Sequence, residues 1–136
     1  MVLGDRLVMC QRHLENFGRP LKNLDQLAEG DSVAVIVNVR GEYVRFAEVA
    51  DISSYTDDMG RECHEINPSL PGSGETPYHI MFDYSPDSKG GRLIKGRLEN
   101  TRSFDITDEM VRKGQVYHLP IMPRIVEDVA RRYAER

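Results

Sequence analysis

The strongest constraint on the fold of this chain is an unbroken apolar run at residues 33–37, rich in β-branched side chains. Such a run predicts a β-strand, and because it has no polar face it predicts a central strand covered on both sides. Arg40 and Gly41 then predict a turn, and residues 43–52 predict the partner strand of a hairpin. Neither face of residues 43–52 is cleanly apolar, which predicts a bend or a bulge in that strand.

A further strand is predicted at residues 78–84 by strict alternation of side chains. Its two faces differ, since one is aromatic and the other is mixed. The aromatic face carries Tyr78, Ile80, Phe82 and Tyr84. Other strands are predicted at residues 6–12, 91–104 and 116–119.

Helical segments are predicted from spacing and from capping residues. Leucines three residues apart, at positions 21, 24 and 27, predict a helical or 3₁₀ turn that ends at Gly30. Thr107 predicts the N-terminal cap of a short helix that ends at Gly114. Pro123 predicts the start of a last helix, whose apolar residues recur every three to four positions.

Domain organisation follows from length and from one irregular segment. A chain of 136 residues predicts one domain, spanning 1–136. Residues 57–77 are rich in Gly and Pro and lack periodicity, which predicts a long flexible loop. Together the elements predict a β-rich α+β fold, either a small β-barrel or a curled antiparallel sheet, with short helices and a C-terminal helix.

Charge and composition limit the partners and the location of the chain. The net charge is −4, which counts against broad binding to phosphate backbones. Within residues 89–102, however, five basic residues accompany a single acid, Glu99. No apolar run approaches the length of a transmembrane helix, and two cysteines are too few for a disulfide framework. We therefore expect a soluble, cytoplasmic protein with no membrane partner.

Catalytic and metal-binding patterns are weak in this sequence. It contains no nucleophile elbow, P-loop, zinc-protease motif or dinucleotide fingerprint. Cys10, His13, Cys63 and His64 are ligand types that zinc uses, and Cys63 beside His64 could be a reactive thiol. Packing of the cysteines as small apolar side chains is the favoured interpretation, so we expect no cofactor, no metal and no catalytic residue. Whether these four side chains meet in space stays open.

Five short motifs stand in order between residues 17 and 84. They are L-x-x-L-x-x-L-x-x-G-D ending at Asp31, the apolar run at 33–37, F-A-E-V from Phe46, Y-x-D-D from Tyr55 and P-Y-H-I from Pro77. In this region the chain resembles the PUA-like superfamily, especially its EVE branch. The resemblance implies a small β-barrel with flanking helices that recognises a base, often a modified one, in a pocket.

A ligand site is expected between the strands at residues 43–52 and 78–84. Aromatic side chains can stack on a base, and basic side chains can neutralise phosphates. The expected stacking residues are Tyr55, Tyr78, Phe82 and Tyr84, and the expected backbone contacts are Arg92, Lys95 and Arg97. The predicted function is therefore a non-enzymatic binding module for nucleic acid or a modified nucleotide.

Two alternatives stay open. The acidic charge, the Gly- and Pro-rich segment and the aromatic strand also fit a structural or interaction subunit of a larger assembly, with a protein partner or as a homo-oligomer. In addition, His13, R-P-L-K-N-L at residues 19–24 and R-L-I at residues 92–94 are similar to the segments around the catalytic histidine and arginine of sortases. The cysteine of that family would fall near Tyr84, where this chain has none, so this resemblance implies an inactive sortase-like barrel.

Overall fold

The computed structural model describes residue 14 and residues 18–38, 42–72, 76–84 and 93–134. The predicted strand at residues 6–12 lies outside these ranges. The strands are β1 (Arg19–Pro20), β2 (Ser32–Asn38), β3 (Glu42–Thr56), β4 (Glu62–Ser69), β5 (Tyr78–Tyr84), β6 (Leu93–Asn100), β7 (Phe104–Thr107) and β8 (Val116–Leu119). A 3₁₀ turn spans Leu24–Gln26, and two helices span Asp108–Arg112 (α1) and Arg124–Ala134 (α2).

These strands form one antiparallel sheet. The main path runs β1-β8-β2-β3-β4-β7, and β5 branches from β3 and carries β6. The long strand β3 pairs with β5 along its first half and with β4 along its second half. Among the described strands the sheet does not close, because its path ends at β1 and at β7. The β-rich α+β class is thus confirmed, as an open curled sheet rather than a barrel.

Strand β2 is covered on both faces, as its apolar run predicts. Ala34 and Ile36 belong to a helix-side cluster, which also holds residues of β3, β5 and α2. Val33 and Val35 belong to a turn-side cluster, which also holds residues of β4, β7, α1 and the 3₁₀ turn. Successive side chains of a strand point to opposite faces, so a strand with two apolar faces needs both covers.

The predicted irregularity of the second strand is a bulge in β3. The register between β3 and β4 shifts between Val49 and Asp51, and Pro68 lies opposite Val49. Proline has no N–H to donate to a ladder, so it suits a position where the pairing is interrupted. The extra residue at the bulge shifts the alternation of β3, which explains why neither face of this strand is apolar throughout.

The prediction of a loop at residues 57–77 is wrong for Glu62–Ser69, which form β4. The sequence of this segment is polar and carries a proline, so it has no strand signal of its own. Its structure comes from pairing, since β4 lies between the second half of β3 and β7. Its buried residues include His64 and Ser69, which a pattern of apolar side chains does not detect.

The helix predictions are confirmed at their ends. Thr107 caps α1, because its hydroxyl accepts a hydrogen bond from the Met110 N–H at 3.2 Å. Gly114 follows α1 with a φ of +70°, a conformation that suits glycine at the end of a helix. Pro123 directly precedes α2, and its carbonyl accepts from the Val126 N–H at 3.0 Å. No helix in the described part of the chain is long and apolar enough to cross a membrane.

Candidate functional site

The residues expected to bind a ligand lie on different surfaces of the sheet. Phe82 is 1% exposed and makes an edge-on contact with Phe46, with ring centroids 5.5 Å apart. Tyr78 packs half-buried against the same helix-side cluster. Arg97 points to the opposite face, since its cross-strand partner is Met81 rather than Phe82. The aromatic side chains and the arginine therefore do not meet.

The remaining expected residues do not complete a pocket with them. Tyr55 lies in the distal half of β3, opposite Cys63 of β4. Tyr84 and Lys95 lie in β5 and β6, with side chains outside the described part of the structure, and Arg92 lies outside the described residues. Strands β3 and β5 are directly paired, and hydrogen-bonded strands lie only about 5 Å apart. A base therefore has no room between these two strands.

A different group of side chains comes together on the turn-side face of β3, β5 and β6. Arg45, Met81 and Arg97 lie in one row across the three strands, because they are directly paired. His79 and Glu99 form the next row, and Phe104 of β7 borders both. We call this group the arginine face. Its members are Arg45, His79, Met81, Arg97, Glu99 and Phe104.

The side chains on the exposed side of the arginine face contact one another. Arg97 Nη2 lies 2.7 Å from Glu99 Oε1 and 3.6 Å from the sulfur of Met81. The guanidinium carbon of Arg45 lies 5.7 Å from the ring centroid of Phe104, within the range of a cation–π contact. The arginine face thus combines two cations with an aromatic ring.

His79 is the buried centre of the arginine face. It is 1% exposed, and neither ring nitrogen has a hydrogen-bond partner among the described residues. Its Nε2 lies 3.6 Å from Glu99 Oε2, which is too long for a hydrogen bond. Burial, together with the charges of Arg45 and Arg97, lowers the pKa of His79 to about 4. The ring is therefore neutral at pH 7 and offers one donor and one acceptor.

Arg45 adds a third unpartnered polar atom to the same place. Its Nε is buried without a hydrogen-bond partner among the described residues. Burial lowers the pKa of Arg45, and the charge of Glu99 opposes that shift. Each unpartnered buried polar group costs about 1–3 kcal/mol, and folded proteins keep few of them. Three such atoms on one face indicate a place that a bound polar group would complete.

His79 and Arg45 were not predicted as site residues. The alternation of β5 predicts His79 on the mixed face of its strand, and this face carries no motif that indicates a site. The available signal was register, because a hairpin that pairs Arg45 with Met81 also brings Arg97 to the same face. The sequence alone does not give that register, because it does not show where β5 and β6 begin and end.

A second polar cluster surrounds Cys63 at the far end of β3. The thiol is 1% exposed, and its Sγ lies 3.9 Å from Asp57 Oδ2. Burial raises the pKa of Cys63, and the negative charge of Asp57 raises it further. Nearby, the hydroxyl of Tyr55 donates to the Asp105 carboxylate, which raises the pKa of Tyr55 to about 12. The thiol is therefore protonated at neutral pH, and the thiolate is the form that acts as a nucleophile.

The four residues considered as zinc ligands are only partly described. Cys63 and His64 are consecutive in β4 and so point to opposite faces of the sheet, whereas Cys10 and His13 lie outside the described residues. Within the described ranges, no three His, Cys, Asp or Glu side chains are grouped closely enough to hold a metal ion.

Comparisons of this chain with protein-family models, with curated proteins and with solved structures give no match. We therefore argue function from the side chains themselves.

We expect the Cys63 thiol to react slowly in the folded protein. In a Cys10→Ser variant, alkylation at neutral pH should be at least roughly tenfold slower in the native state than in guanidinium, because burial and Asp57 disfavour the thiolate. The measurement is the rate of iodoacetamide labelling, followed by mass spectrometry. Equal rates in the two states would revive the reactive-cysteine alternative.

We also expect His79 to make stability depend on pH. The pKa of His79 is lowered from 6.5 to about 4 on folding, so between these values the unfolded state binds a proton that the folded state does not. Stability should therefore fall as pH drops from 6.5 towards 4.5, by about 2–3 kcal/mol. Urea unfolding across this range measures the loss. A His79→Phe variant should lack this contribution, and an unchanged pH dependence in that variant would contradict the assignment.

Proposed function

We propose that this chain is a non-enzymatic binding module and that the arginine face recognises a nucleotide or a modified base of a nucleic acid. The observation that carries the proposal is the buried ring of His79, which has no hydrogen-bond partner among the described residues and lies beside two arginines and Phe104. From the resemblance in the sequence, we further propose that the protein belongs to the PUA-like superfamily. We also propose that it is located in the cytoplasm.

The side chains of the arginine face suit the chemistry of a nucleotide. A neutral imidazole has one donor and one acceptor, and because the His79 ring is only 1% exposed, a base edge reaches it only if the exposed side chain of Arg97 moves aside. An arginine can stack on a base or bind a phosphate through two parallel N–H groups. Phe104 adds an aromatic surface, and base–aromatic stacking contributes about 1–3 kcal/mol per base.

The ion pair between Arg97 and Glu99 does not prevent such a contact. Their side chains are 48% and 35% exposed, and an exposed ion pair contributes only about 0–1 kcal/mol. A phosphate can therefore replace Glu99 as the partner of the Arg97 guanidinium at little cost in free energy. Glu99 then remains as a charge that discriminates against ligands with a second phosphate close by.

The charge of the whole chain limits the mode of binding. With a net charge of −4, the chain as a whole does not attract a nucleic acid, so the proposal assigns the attraction for this ligand to the cations of the arginine face. Contacts from Arg45 and Arg97 alone would give a slope of about −1.4 in log K against log salt for a single strand. We therefore expect a short site with shallow salt dependence rather than a long electrostatic groove.

The direct test is fluorescence anisotropy with short single-stranded RNA and DNA, each with and without methylated bases. An Arg97→Gln variant should bind the preferred probe roughly tenfold more weakly, a loss of about 1.4 kcal/mol. The matched control is Arg131→Gln, which removes an exposed, ion-paired arginine from α2 on the other side of the sheet. That control should bind as the parent does.

Two results would overturn the proposal. One is the absence of binding to every probe, and the other is equal binding by Arg97→Gln and the parent. Light scattering on the same samples addresses the alternative function. A stable homo-oligomer without nucleic-acid binding would favour a structural or interaction subunit.

A further inference from the structure

We infer that a second ligand site lies at the β1–β8 edge and binds a phosphate-bearing small molecule. A cavity of about 300 Å³ opens there, at the lower end of the size range of small-molecule sites. It is lined by Arg19, Pro20, Leu21, Lys22, Gln26 and His118. The inference is independent of the proposed function, because none of these residues belongs to the arginine face.

The lining of the cavity is cationic. Arg19 and Lys22 are basic side chains, and His118 adds an imidazole that can donate a hydrogen bond. No acidic side chain belongs to the lining among the described residues. The acid nearest to His118 is Asp31, whose Oδ1 lies 3.4 Å from His118 Nε2. Its other oxygen accepts a hydrogen bond from the Ala28 N–H at 2.9 Å, so Asp31 is engaged on both sides.

The backbone pairing brings two of these basic side chains together. Arg19 and His118 are directly opposite each other in the β1–β8 ladder. Directly opposed side chains of an antiparallel pair lie on the same face, close enough to contact one ligand together. Gly18 permits the close approach of the backbone before β1 to β8, since a Cβ at this position would lie 2.2 Å from the carbonyl oxygen of His118. This close pairing is therefore built into the local sequence.

The 3₁₀ turn fixes a neutral donor at the same cavity. The Oε1 of Gln26 accepts hydrogen bonds from the Lys22 N–H at 2.9 Å and the Asn23 N–H at 3.4 Å. With its oxygen held by the backbone, the amide of Gln26 presents its NH₂ group as the donor. Leu21 is buried beneath and ties the segment to β8, because its N–H donates to the Val116 carbonyl at 2.7 Å. A set of donors with net positive charge favours a phosphate group.

The test is a titration of the isotopically labelled protein with pyrophosphate, followed by NMR. We expect saturable shifts of the backbone signals of Lys22, Gln26 and His118. Lys22→Gln and His118→Gln should each weaken pyrophosphate binding roughly tenfold, because the first removes a charge-assisted hydrogen bond and the second removes the imidazole. The control is Lys113→Gln, which removes an exposed, ion-paired lysine directly after α1 and should leave the affinity unchanged.

Parallel titrations define the ligand and separate the two sites. Inorganic phosphate should shift the same signals more weakly, and acetate at equal ionic strength should not saturate them. Arg97→Gln should bind pyrophosphate as the parent does, whatever its effect on nucleic-acid binding. The inference is overturned if pyrophosphate causes no saturable shift at this cavity, or if Lys22→Gln and His118→Gln bind it as tightly as the parent.

Discussion

The burial of β2 on both faces is the constraint on which the rest of the structure depends. A strand with two apolar faces must be covered twice, and here the two covers are built from different elements. Helix α2 contributes to the helix-side cluster, and α1 with the 3₁₀ turn contributes to the turn-side cluster. The bulge in β3 then lets one long strand serve two partners, β5 and β4, in succession.

The arginine face follows from this arrangement. Ala47 of β3 belongs to the turn-side cluster, and Arg45 lies two residues earlier on the same face. The apolar cluster therefore gives way to polar side chains within one strand, at the point where β5 and β6 extend the sheet. His79 is buried at that border, with its ring beside Phe104 and its nitrogens unpartnered among the described residues. A desolvated polar ring next to two cations is costly to maintain, and this cost is the reason for proposing a ligand here.

The sequence predicted the elements with strong local signals and missed those that depend on pairing. The apolar run of β2, the alternation of β5 and the Thr107 cap are local, and all three are confirmed. Strand β4 was missed because its residues gain their structure from β3 and β7. The expected binding residues do not come together in one pocket for a related reason. Alternation shows that Tyr78 and Phe82 share a face, but it does not show that this face packs into the helix-side cluster. Arg97 was expected to bind phosphate beside these aromatic side chains, but it lies on the opposite face.

The most direct test of this account is the state of the His79 ring, observed by ¹⁵N NMR at a pH of about 5.5, between the two pKa values. The His79→Phe variant assigns the signal. We predict a neutral ring in the free protein, and a changed ring signal when a single-stranded RNA of about ten nucleotides is added to saturation. A ring that is already charged in the free protein at this pH, or a signal that does not respond to bound RNA, would contradict the account.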